Sequence, residues 1–68
     1  MNWSTNVTTT KVPGWDKICR GWAEAGEPFE IYGIGARELI FCRDICVAFN
    51  YECRFDSKEA AAVFVPVC

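Results

Sequence analysis

Sixty-eight residues make one small domain, and a chain this short buries only roughly 60% of the surface its unfolded form exposes, so its core must be dense. The composition meets that demand: 51% of the residues are hydrophobic and 15% aromatic, which excludes a disordered tail. Seven basic and nine acidic residues leave a net charge of −2, which excludes the basic stripe of a direct nucleic-acid binder, and no apolar run approaches the ~20 residues of a membrane span.

The first residues, Met1-Asn2-Trp3-Ser4-Thr5-Asn6, lack the basic start and apolar stretch of a secretory signal. The expected location is therefore the cytoplasm, or the host cytoplasm if the chain is phage-encoded. Residues 4–12, rich in threonine with Val7 and Val12, predict a strand at a sheet edge. Pro13-Gly14 punctuates it. Trp15, Ile18, Cys19 and Trp22 then fall at i, i+3, i+4 and i+7, one face of an amphipathic helix with Gly26 at its C-terminal stop. Gly21 lies inside that helix, and close packing against it is the expected reason.

Beyond Glu27-Pro28, Phe29 and Ile31 alternate with Glu30 and Tyr32, the pattern of a half-buried strand. Gly33-Ile34-Gly35-Ala36 reads as a hairpin turn or a bulge and Arg37 to Cys42 as the return strand. From Ile45 to Phe55 the alternation Ile45, Val47, Phe49, Tyr51, Cys53, Phe55 is unbroken and predicts another strand. A helix from Ala36 to Asn50 is the competing reading, because Phe41, Ile45 and Ala48 fit i, i+4, i+7. Asp56 with Glu59 three residues on resembles a capping box, so the last element is expected to be a helix that places Ala60, Val63 and Phe64 inward and ends at Pro66. The expected fold is α+β over residues 1–68 as a single compact domain. It has a small antiparallel sheet of three to four strands with two helices packed on one face, in the order β-α-β-β-β-α.

Little in the chain points to catalysis. Histidine is absent, which removes the usual general base near neutral pH and every Ser-His or Cys-His pairing. Glu27 with Glu30, and Glu38 with Asp44, are acid–base pairs by residue type alone, and exposed carboxylates of this kind are ordinarily just solvated. Gly33-Ile34-Gly35 is a turn and no phosphate-binding loop. The expectation is a non-enzyme that needs no cofactor. The five cysteines are odd in number and include no Cys-x-x-Cys pair, so they are expected to be reduced and metal-free. If the chain held a metal, Cys19, Cys42, Cys46 and Cys53 would be the ligands, and a cysteine-based zinc-binding structural or regulatory module is the alternative reading.

The remaining lead is a surface. If two helices cover one sheet face, the other is expected to carry Glu30, Tyr32, Ile34, Ile40, Cys42, Cys46, Ala48 and Asn50, a set too apolar for a purely solvated face. Tyr32 is expected to anchor a contact with a protein partner, with Glu30 and Arg37 near its rim. Trp3 is a further contact candidate, and a homodimer through the same face fits the pattern equally. The function expected is that of a small protein-binding module that occupies a macromolecular surface. Size and composition, and no motif, suggest a phage or mobile-element inhibitor of a host defence complex, of the anti-CRISPR or anti-restriction type.

Overall fold

The computed structural model describes residues 6–67. In chain order the elements are β1 (Asn6–Thr9), α1 (Trp15–Ala25), β2 (Phe29–Tyr32), α2 (Ala36–Phe49), β3 (Tyr51–Asp56) and β4 (Ala61–Pro66). The four strands form one sheet in the order β1-β2-β4-β3, and both helices lie against one of its faces. The α+β class and the one-sided helices are as the sequence predicts. The sheet is mixed, however: β1 and β2 pair in parallel, while β4 runs antiparallel to both β2 and β3. The parallel pair follows from α1, which lies between β1 and β2 and makes their connection a crossover.

The N-terminal half matches its periodicity. Cys19 and Ala23 of α1 are buried, Trp15 and Trp22 pack on the core, and Gly26 closes the helix at φ 76°, a left-handed turn that glycine adopts without steric cost. Apart from Gly21's chain neighbours and its own helix backbone, no atom lies within 4 Å of the position a Gly21 Cβ would take, so close packing does not explain that glycine. In β2, Phe29 and Ile31 are fully buried while Glu30 and Tyr32 are half-buried.

The C-terminal half departs from the expected order, which becomes β-α-β-α-β-β. Residues 36–49 are a helix, not a return strand and the start of another. Cys42 and Ile45 are buried, and Leu39, Phe41, Cys46 and Phe49 pack beside them, a spacing that follows the 3.6-residue period. The stripe was masked because Ile40 and Val47 are also apolar yet stand 61% and 85% exposed. The alternation from Ile45 to Phe55 joins the end of this helix to the start of β3 across Asn50. That residue sits at φ 60°, a conformation asparagine tolerates better than most non-glycine residues.

The expected last helix is likewise a hairpin. Asp56 Oδ1 accepts the Lys58 N–H at 2.9 Å, which turns the chain into β4. An aspartate that bonds a backbone N–H just ahead of it starts a turn by the same means it starts a helix, and Val63, Phe64 and Val65 decide for strand.

The core lies between the sheet and the helices. Phe29, Phe64, Ile31, Ile45, Cys19 and Cys42 are its largest fully buried side chains. Phe29 and Phe64 stack at 4.6 Å between ring centroids, 6° from parallel. Tyr51 closes one side with its ring 5.6 Å from Phe29. Its hydroxyl donates to the Glu27 carbonyl at 2.9 Å, just past the end of α1.

Candidate functional site

With both helices on one side, no element among the described residues covers the opposite face of the sheet. Successive strand residues point to opposite faces, and the strand register identifies which residues share the open one. Val7, Glu30, Val63 and Arg54 form one row across the four strands, and Thr9, Tyr32, Ala61 and Asp56 form the next. Val65 and Glu52 extend the face beyond the first row. Val7 is exposed and Glu30, Tyr32, Val63 and Val65 are half-buried, so an aromatic ring and three valines meet the outside among charged groups.

Tyr32 and Glu30 are two residues apart on β2, and the Tyr32 hydroxyl donates to Glu30 Oε1. That bond, together with the charges of Glu30 and Glu59, holds the phenol above its ordinary value of 10.0. Tyr32 is therefore a neutral, pre-oriented side chain at physiological pH, with carboxylates on its polar edge. Arg54 and Glu52 form an exposed ion pair at 3.7 Å on the same face.

The other residues expected beside Tyr32 lie elsewhere. Ile34 is buried in the core, and Ile40, Cys42, Cys46, Ala48 and Asn50 belong to α2 or its C-terminal cap. Arg37 is in the first turn of α2, where it lines a groove of about 410 Å³ with the segment from Thr10 to Asp16. Trp15 and Phe41 meet edge-to-face at 5.1 Å in that groove, and Glu38 is engaged there with the Gly35 N–H at 3.0 Å. Lys11 and Arg37 are balanced by Asp16 and Glu38, so the groove has no net charge to select a ligand. Trp3 lies outside the described residues.

The structure gathers four cysteines under the covered face. Cys19 and Cys42 are fully buried, Cys46 and Cys53 partly so, and all four are free thiols. Burial pushes Cys19, Cys42 and Cys46 up to about 12; Cys42 is further raised by Cys53, Cys19 and Cys46. Thiols held protonated in this way are poor nucleophiles. Among the described residues no group of three or more His, Cys, Asp or Glu side chains is placed to hold a metal ion. No helix among them is long and apolar enough to cross a membrane.

No protein-family model matches the chain, and no curated protein or solved structure matches it either.

Proposed function

We propose that this protein is a non-enzymatic binding module that acts by covering part of a partner protein's surface with its open sheet face. The observation that carries this reading is the Tyr32–Glu30 pair on the sheet face opposite the two helices, where no other element among the described residues lies. Tyrosine is over-represented among residues that dominate binding energy, because it buries a large ring at low entropic cost and keeps a polar tip. Here the ring is already oriented by Glu30, which lowers the cost of fixing it on association. Val7, Val63 and Val65 supply apolar area around it. Glu30, Glu52 and Asp56 outnumber Arg54 on this face, so the partner surface that fits is apolar at its centre and basic at its rim. An inhibitor of a host defence complex, phage-encoded and of the anti-CRISPR or anti-restriction type, would act in this manner and is the finer form of the proposal.

The test is capture from lysate with wild-type protein and with Tyr32→Ala side by side, followed by calorimetry against whatever the wild type retains. Tyr32→Ala should keep its circular dichroism spectrum and lose more than about 2 kcal/mol of binding. Glu30→Ala should lose less and show its effect mainly in association rate and salt dependence. A folded Tyr32→Ala protein that retains the partner at wild-type strength would refute the assignment of this face.

A further inference from the structure

A second recognition feature lies at the edge of the sheet, not on its face. β3 is an edge strand of six residues, and an unpaired edge offers a row of backbone N–H and C=O groups to another strand. Which residues offer them follows from the pairing with β4. The Val67 N–H donates to the Asn50 carbonyl at 2.9 Å, and hydrogen-bonded pairs alternate along an antiparallel ladder. Glu52, Arg54 and Asp56 therefore direct their backbone groups toward β4, while Tyr51, Cys53 and Phe55 direct theirs outward. Pro66 agrees with this assignment: it has no N–H to give and stands opposite Tyr51, at a position where none is required.

We infer that two copies of this chain pair through their β3 edges, antiparallel about a two-fold axis at Cys53. In that register the outward groups of Cys53 meet those of its own copy, and Tyr51 meets Phe55 of the second chain. Glu52 then stands opposite Arg54 of the second chain, and Arg54 opposite its Glu52, at the close non-hydrogen-bonded positions where side chains approach most nearly. Two properties of the strand make it complementary to itself. The sequence Glu52-Cys53-Arg54 places opposite charges symmetrically about the axis, and both side chains are exposed, at 55% and 75%. Phe55 is 44% exposed, an apolar residue at the edge that the pairing brings beside the second chain.

The charges also select the register. A two-fold axis at Glu52 would set Glu52 against itself, and one at Arg54 would set Arg54 against itself and Glu52 against Asp56. An axis at Phe55 restores an Arg54–Asp56 pair but leaves only the last three residues of β3 in the ladder. The axis at Cys53 uses Tyr51 through Phe55 and opposes no like charges. This pairing joins the two sheets into one of eight strands, and it does not depend on Tyr32 or on any partner at the open face.

The test is sedimentation velocity of the full chain over a concentration series under reducing conditions, with Glu52→Arg, Arg54→Glu and the double exchange Glu52→Arg/Arg54→Glu. The wild type should pass from monomer to dimer as concentration rises. Each single reversal should weaken association by roughly tenfold or more, since like charges then face each other twice across the axis, and the double exchange should restore it. Wild-type amide exchange supplies a readout independent of the variants' folding. The Cys53 and Phe55 amides should slow with rising concentration, while the Arg54 amide is slow throughout. A wild type that stays monomeric, a dimer indifferent to the single reversals, or concentration-independent exchange at Cys53 and Phe55 would overturn the inference.

Discussion

The two faces of this sheet are built from the same four strands and differ in what each asks of its residues. On the covered face Phe29, Ile31, Ala62 and Phe64 have no exposure at all. On the open face their immediate chain neighbours Glu30, Tyr32 and Val63 are half-buried. The two tyrosines show the contrast most directly. Tyr51 sends its hydroxyl into the protein, to the Glu27 carbonyl beyond the end of α1, and so ties a helix to the sheet. Tyr32 spends its hydroxyl on Glu30, its neighbour on the same strand, and ties nothing to anything. One aromatic residue is explained by the fold and the other is not, which is why the open face is the one proposed for binding.

If that division is sound, perturbations aimed under the covered face should damage the fold and those on the open face should not. The largest effect is expected from alkali, which acts on the thiols beneath the helices. Cys19, Cys42 and Cys46 release their protons near the ordinary value of 9.0 once unfolded but only near about 12 in the folded protein. Between those values the folded state binds more protons, so stability falls as pH rises; the contribution is complete below pH 9 and is lost progressively toward 12. Unfolding followed by circular dichroism should show loss of structure within that window, and a chain fully folded above it would contradict the burial of these thiols. Next in size is Phe64→Ala. It removes one member of the Phe29–Phe64 stack from a fully buried site and should cost about 3–5 kcal/mol in chemical denaturation, comparable with the whole stability expected of so small a domain. Tyr51→Phe keeps the ring and removes only the hydroxyl, so it should cost about 1 kcal/mol. Tyr32→Ala comes last and should cost less than about 1 kcal/mol, as a change on an uncovered face does.

How far the sequence foretold this arrangement depends on where in the chain one looks. In the N-terminal half each period belonged to one element: Trp15, Ile18, Cys19 and Trp22 lay on one helix, and Phe29 and Ile31 on one strand, so α1, β2 and the opposite orientation of Tyr32 were legible. In the C-terminal half local signals crossed element boundaries. Ile40 and Val47 put apolar residues on the outer face of α2 and blurred its stripe. Asn50 in a left-handed conformation broke the chain without a glycine or proline to announce it. Asp56 started a turn with the hydrogen bond that also starts helices. Of the candidate site, the Tyr32–Glu30 pair was legible because two residues apart on a strand means the same face. Arg37 would lie beside them only if its segment were a strand; as part of α2 it lines the groove with Trp15 and Phe41.

The account rests on recognition by the open face and not by the groove, and one comparison decides between them. Dissociation constants for the captured partner should be measured by calorimetry for the wild type, Tyr32→Ala and Arg37→Ala, with circular dichroism confirming that all three are folded. The account predicts that Tyr32→Ala weakens binding by about thirtyfold or more while Arg37→Ala stays close to the wild type. The reverse order, with Arg37→Ala impaired and Tyr32→Ala intact, would move the interface to the groove between α1 and α2 and contradict it.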